Sequence, residues 1–117
     1  MSAKTGAGWR AFLWIAALYN FIIGTAVFLD AQWGSAEATN GALIFAFGIV
    51  YALTAREPAR FAPVLLAGIF GKAMVVAMLG PPNWRAGGDP ALAAIVAGDL
   101  AFAIGFLVFL LRARRHG

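Results

Sequence analysis

The sequence predicts an all-α integral membrane protein, a bundle of four transmembrane helices with short loops and with the N- and C-termini in the cytoplasm. Composition is the first reason: 62% of the 117 residues are hydrophobic and 12% are charged, whereas about a quarter of the residues of a soluble domain are charged. Arrangement is the second, because the apolar residues fall into four runs separated by polar segments. Four spans of about 20 residues leave little chain for anything else, so residues 1–117 are expected to form a single transmembrane domain.

The first two predicted helices differ in whether they are long enough to cross a membrane. Residues 9–29 are long enough for a span and exceed the roughly 7–15 apolar residues of a signal-peptide core, so a cleaved signal peptide is the less favoured alternative. Residues 41–55 are short for a span, and this helix is expected to gain a turn at one or both ends. Thr39 or Asn40 is its expected N-terminal cap, because either side chain can accept a hydrogen bond from a free N–H group of the first turn.

The last two predicted helices are bounded by proline. Residues 61–79 follow Pro58, which disfavours helical geometry at the residue before it. The segment 80–90 is dense in glycine and proline, and we expect it to stop this helix. Asp89 followed by Pro90 predicts the start of the fourth helix, residues 91–111, because an acceptor side chain before a proline suits the first helical position.

Lysine and arginine residues predict the orientation, because cytoplasmic loops are enriched in them. With four helices alternating in direction, the basic residues outside the spans gather on one side, taken as cytoplasmic, and Arg85 alone falls on the other. Those on the cytoplasmic side are Lys4, Arg10, Arg56, Arg60, Arg112, Arg114 and Arg115. No basic face remains outside the membrane, so nucleic-acid binding is not expected.

The tryptophans and the missing cysteines narrow the function further. Trp9 lies at the predicted cytoplasmic boundary, and Trp33 and Trp84 lie in the two outer loops, positions that tryptophan prefers at membrane surfaces. We interpret them as interface anchors; gating of a ligand by the outer pair is the alternative. The chain has no cysteine and one histidine, in its basic end segment, so neither thiolate chemistry nor a metal site is expected.

Four polar residues interrupt the apolar runs: Asn20, Tyr51, Lys72 and Asp99. Counting 1.5 Å per residue from the outer helix ends places all four about 11–15 Å below the outer membrane surface. Helices joined by a short loop are antiparallel neighbours, so a Lys72–Asp99 ion pair is expected, with Asn20 and Tyr51 in the same layer. Two interpretations stay open: a polar centre that fixes helix register, or a binding layer for a substrate, an ion, a proton or a quinone head group.

Short motifs in three of the helices also carry a family resemblance: Tyr19-Asn20 with Gly24, Gly71-Lys72, and Gly98-Asp99-Leu100. They resemble uncharacterised small four-helix bacterial membrane proteins of the DoxX-like type. The resemblance implies the inner membrane of a bacterium and a redox or quinone neighbourhood, and it supplies no catalytic residue. Independently of it, Gly24 follows Asn20 by one turn, a spacing that would let the first helix approach a neighbour closely.

The sequence contains no catalytic constellation, so a non-enzymatic membrane protein is expected. It would be a small subunit of a larger membrane complex, or a binder of a lipid-soluble, quinone-like molecule at the polar layer. The alternative is an oligomeric proton-coupled transporter or channel in which Asp99 carries the proton and Lys72 is its counter-charge; a Schiff-base enzyme using Lys72 is a third. Expected partners are the lipid bilayer and other membrane subunits or further copies of the chain, with no cofactor beyond a bound quinone or lipid.

Overall fold

The computed structural model describes residues 6–116, and the side chains of residues 6–113. Regular structure in this part of the chain is entirely helical. Lys4 lies outside the described residues, as do the side chains of Arg114, Arg115 and His116. The elements are α1 (Ala7–Asp30), α2 (Ala36–Arg56), the short α3 (Pro58–Phe61), a 3-10 turn (Ala62–Val64), α4 (Leu65–Asn83) and α5 (Pro90–His116).

Among the described residues, four helical stretches are long and apolar enough to cross a membrane, which confirms the predicted number of spans. They are α1, α2, the continuous stretch Pro58–Asn83 and the part of α5 from Pro90 to Ala113. The helices group into two compact units. The first hairpin consists of α1 and α2 with the short α3, and the second hairpin consists of α4 and α5.

Backbone contact between α1 and α2 holds the first hairpin together. A Cβ atom added to Gly24 would lie 2.6 Å from the backbone nitrogen of Phe45, and one added to Gly41 would lie 2.6 Å from the backbone nitrogen of Phe28. The contact is therefore reciprocal. Gly24 of α1 packs against the backbone of α2 at Phe45, and Gly41 of α2 packs against the backbone of α1 at Phe28. Close approach of Gly24 was expected; its partner, Gly41, was not. Such approaches let helix backbones pack in van der Waals contact where the hydrophobic effect does not drive association.

The N-terminus of α2 lies earlier than predicted, and the predicted caps Thr39 and Asn40 are wrong. Ser35 is the cap: its Oγ accepts a hydrogen bond from the backbone N–H of Ala38 at 3.1 Å. The polar residues after Ser35 are helical because a helix satisfies its own backbone groups, so polarity alone does not end it. Glu37 in the first turn adds favourable charge at the positive end of the helix dipole.

Replacing Ser35 with alanine should lower the free energy of unfolding by about 1 kcal/mol, because it removes the side-chain acceptor at the start of α2. Thermal unfolding of the purified protein in detergent measures this as a lower melting temperature. Asn40→Ala is the matched control, since Asn40 is an exposed residue inside the helix and its replacement is expected to leave the melting temperature unchanged. A larger decrease in melting temperature for Asn40→Ala than for Ser35→Ala would instead support Asn40 as the cap.

The third span also departs from its predicted bounds of 61–79. It begins with α3 and a 3-10 turn because Pro63 has no N–H to donate to the carbonyl four residues earlier. At its other end, α4 continues through Pro81 and Pro82 to Asn83, so the predicted end at residue 79 is wrong, although the segment 80–90 does end the helix. Each proline removes one backbone bond, the one to the carbonyl of Ala77 or Met78, and the helix ends shortly after them, at Asn83.

The loop after α4 is fastened by polar side chains. The Asn83 side chain donates from Nδ2 to the Leu79 carbonyl at 2.8 Å and accepts at Oδ1 from the Asp89 N–H at 3.1 Å. Asp89 in turn accepts at Oδ1 from the Ala91 N–H at 2.9 Å, which confirms the predicted start of α5 at Asp89-Pro90. The helix then runs past the predicted end at residue 111 to His116.

Candidate binding site in the second hairpin

A buried ion pair joins the two helices of the second hairpin. Nζ of Lys72 on α4 lies 2.6 Å from Oδ1 of Asp99 on α5, a charge-assisted hydrogen bond of short length. The contact confirms the pair that was predicted from counting residues along antiparallel neighbours. Because both charges lie within spans, each would be costly without the other.

The carboxylate of the pair is more exposed than the ammonium group. The Lys72 side chain is 7% exposed and that of Asp99 is 14% exposed. Within residues 6–116, the hydrogen bond from Lys72 to Oδ1 is the only one that the Asp99 carboxylate accepts. Every side-chain oxygen that is fully buried in this part of the chain has a hydrogen-bond partner. Oδ2 of Asp99 therefore reaches the surface of the chain as an unengaged acceptor.

Phe102 also belongs to the site, although the sequence alone suggests only lipid-facing or packing bulk at this position. The Lys72 ammonium lies 5.6 Å from the centre of the Phe102 ring, within the distance of a cation–π contact. Phe102 follows Asp99 by three residues, so α5 presents a carboxylate and an aromatic face to the same lysine. That spacing is visible in the sequence and would have identified Phe102 once Lys72 and Asp99 were paired.

Asn20 and Tyr51, the other two members of the predicted polar layer, both belong to the first hairpin. Asn20 is buried and donates from Nδ2 to the Ile44 carbonyl at 3.0 Å, which ties α1 to α2. Tyr51 is also buried, and its ring centre lies 6.2 Å from that of Phe47. The prediction that these two residues share one layer with Lys72 and Asp99 stays a prediction.

Arg10 has a structural contact that the sequence analysis did not foresee. Its guanidinium donates from Nε to the Ala55 carbonyl at 3.2 Å and from Nη2 to the Arg56 carbonyl at 2.6 Å. These carbonyls belong to the last turn of α2, where no backbone N–H remains to pair with them and where the helix dipole favours a cation. The start of α1 and the end of α2 therefore meet, with Arg10 and Arg56 at the same end of the first hairpin.

The remaining basic residues assigned to topology are exposed where the structure describes their side chains. Arg56 and Arg112 are exposed, and Arg60 is exposed beside Glu57, with Nη1 at 3.7 Å from a carboxylate oxygen. Such an exposed pair contributes little to stability. Exposure is what a topology signal requires, because these groups must stay in water or at the lipid head groups.

The tryptophans differ in what they contact. Trp33 is 88% exposed, and its ring meets Phe28 edge-on at 6.0 Å; Trp9 meets Phe12 in the same way at 5.7 Å. Trp84 donates from Nε1 to the Ala93 carbonyl at 3.0 Å and so links the end of α4 to α5. Trp84 therefore has a structural role besides the interface role predicted for all three.

Four candidate spans and an ion pair buried between two of them define the class: a multi-pass membrane protein with a charged centre in its second hairpin. Comparison with protein-family models, with curated proteins and with solved structures finds no match for this chain. Its function therefore has to be inferred from the chemistry of the Lys72–Asp99 pair.

Proposed function

We propose that this chain is a non-enzymatic membrane protein that binds a lipid-soluble small molecule at the Lys72–Asp99 pair. The observation that supports the proposal is the Oδ2 oxygen of Asp99, which accepts no hydrogen bond from the described residues and reaches the surface from within a span. Polar groups inside a membrane are expensive, and ionisable ones there are functional candidates by default. An open acceptor at this depth is a place where a ligand donor gains a strong hydrogen bond.

A purely structural pair would be expected to look different. A salt bridge kept only for helix register repays its desolvation when its remaining lone pairs are satisfied as well. Here one carboxylate oxygen is engaged by Lys72, and the other accepts no hydrogen bond from the described residues. The asymmetry between a well-covered ammonium and a partly open carboxylate favours a binding role over a role in register alone.

Co-purification tests the proposal. The wild-type protein and the double variant Lys72→Met/Asp99→Leu, which removes both charges together, are extracted gently from the membrane and compared by native mass spectrometry. A small molecule retained in stoichiometric amount by the wild type and lost by the double variant is the expected result. Ile104→Ala, at an exposed position on α5, is the matched control and should retain the molecule. Identical retention by wild type and double variant would rule out binding at the pair.

Assembly with other membrane chains is part of the same proposal. In the most apolar stretch of each span, only 22% to 33% of the residues are buried within the chain. The remaining surface needs a cover of lipid, of other subunits or of further copies of the chain, as expected for a small subunit of a larger complex. The same mass spectra report it: protein companions at fixed stoichiometry support assembly, whereas a lone protomer contradicts it.

A proton-coupled transporter is the second candidate function, favoured by the same open carboxylate. A carrier carboxylate must be reachable by a proton, and Oδ2 of Asp99 is accessible while Oδ1 is held by Lys72. Since four helices enclose little water, such a transporter would work as an oligomer. Proton flux into liposomes that disappears in Asp99→Asn is the expected result; flux unchanged by this substitution would exclude the candidate.

We also propose that both termini face the cytoplasm, in the inner membrane of a bacterium. The basic residues on one side of the spans support the orientation, and the DoxX-like resemblance supports the membrane. The chain has no cysteine, so single cysteines report orientation without background. In spheroplasts, an impermeant maleimide should label Gln32→Cys and Ala86→Cys in the loops but not Ala59→Cys, which reacts only after permeabilisation. Labelling of Ala59→Cys alone would reverse the orientation.

A further inference from the structure

Building on the proposed function, we infer that the Lys72–Asp99 site selects neutral molecules whose head group donates a hydrogen bond, such as a phenol or another hydroxyl-bearing amphiphile. The inference deepens the proposed binding role by assigning the chemistry of the ligand. It follows from two properties of the pair: its net charge and the single oxygen that it leaves open.

Net charge favours a neutral ligand. The Lys72 ammonium and the Asp99 carboxylate, with Nζ 2.6 Å from Oδ1, already neutralise each other. A bound anion would leave an uncompensated negative charge beside Asp99, and a bound cation would leave a positive one beside Lys72. Either result carries the desolvation cost of an unpaired ion in a region of low dielectric constant. A neutral ligand leaves the pair balanced.

The open oxygen favours a donor. An ionised carboxylate only accepts hydrogen bonds, and Oδ2 of Asp99 accepts none from the described residues. A ligand O–H pointing at Oδ2 forms a charge-assisted bond, which is shorter and stronger than a bond between two neutral groups. A quinone, a ketone or an ether brings only acceptors and gains nothing at Oδ2. The hydroxyl form of a redox amphiphile is therefore preferred over its carbonyl form.

Phe102 supports a head group with an aromatic ring. It is half-buried and already lies against Lys72, three residues along α5 from the open carboxylate. A phenol that donates to Oδ2 would place its ring on the same side of α5, within reach of edge-to-face or offset contact with Phe102. For this reason the first probe is a phenol.

A matched pair of probes isolates the hydrogen bond. 4-Nonylphenol and 4-nonylanisole differ by one methyl group that removes the donor, and each is titrated against the protein in nanodiscs and measured by native mass spectrometry. The wild type should bind the phenol about tenfold more tightly than the anisole, the effect expected of one hydrogen bond to a charged group. Lys72→Met/Asp99→Leu should lose this preference, and Leu107→Ala, at an exposed position on α5, should keep it.

The outcomes separate this inference from the proposed function. If wild type binds both probes equally and the double variant binds neither, the pair is a binding site and the donor preference is wrong. If all variants bind both probes equally, the pair is not a binding site, and the inference and the proposed function fail together. Difference infrared spectra of the wild type need no variant: the phenol should shift a carboxylate band that the anisole leaves in place, and the absence of that shift would overturn the inference.

Discussion

Replacing Lys72 with methionine should destabilise the protein by about 3 kcal/mol, because it leaves the Asp99 carboxylate within a span without its counter-charge. The expected size is the cost of an unpaired ionised side chain at the centre of a transmembrane helix, about 2.5–3.5 kcal/mol on insertion scales. Lys72 Nζ is the donor to Oδ1 at 2.6 Å, and methionine keeps most of the length of the unbranched side chain while removing the charge. Unfolding by SDS titration in mixed micelles measures the loss.

The double variant Lys72→Met/Asp99→Leu distinguishes an orphaned charge from lost packing. Removing both charges should restore at least about 1 kcal/mol relative to Lys72→Met, because residues in direct contact have interaction energies of this order. Asp99→Leu completes the cycle. If the double variant is destabilised by the sum of the two single changes, the pair has no energetic coupling, and the ion pair is not what holds α4 to α5.

Replacing Gly41 with alanine should destabilise the first hairpin by about 2–3 kcal/mol. The new Cβ would lie 2.6 Å from the backbone nitrogen of Phe28 and 2.9 Å from the carbonyl oxygen of Gly24, so α1 and α2 would have to move apart. Overpacking usually costs about 1–3 kcal/mol, and the upper part of that range is expected because the obstructing atoms are backbone. SDS titration measures this loss as well.

Gly24→Ala should cost about as much as Gly41→Ala, since the two glycines face each other's helix in the same way. The two changes together should cost less than their sum, because the first already separates the helices. Gly71→Ala is the matched control: apart from its two chain neighbours and the nearby backbone of its own helix, no described atom lies within 4 Å of a Cβ added there. The control should be neutral or slightly stabilising, and a loss equal to that of Gly41→Ala would show that helical glycine itself, not the contact, is responsible.

Hydropathy and residue spacing were sufficient to predict the number of spans and the ion pair. A run of apolar residues determines where a helix can cross a membrane, and a charged residue inside such a run needs a partner at the same depth. Lys72 and Asp99 satisfied both conditions, so their contact followed from counting residues. The start of α5 could also be predicted from neighbouring residues alone, since Asp89 caps the helix and Pro90 follows it directly in the sequence.

Features that depend on a distant part of the chain could not be predicted in the same way. The Arg10 contact joins residues 45 and 46 positions apart, and the match between Gly24 and Gly41 depends on the register of α1 against α2. The cap at Ser35 was missed because the polar residues that follow it suggest a loop. The extension of α4 was missed because the prolines were expected to end the helix at once, whereas it continues through them to Asn83.

Pro81 and Pro82 also bear on how the second hairpin matches the thickness of its membrane. Proline has no N–H, so the carbonyls of Ala77 and Met78 lose their usual donors, and such groups are too costly to leave in hydrocarbon. With these carbonyls and the exposed Arg60 both kept at the head groups, the lipid interior would hold residues 61–76, which rise about 25 Å with the 3-10 turn included. A typical hydrocarbon core is about 30 Å thick. Hydrophobic mismatch therefore favours an upright helix in a thin bilayer, and acyl-chain length contributes to the stability of the hairpin that carries the ion pair.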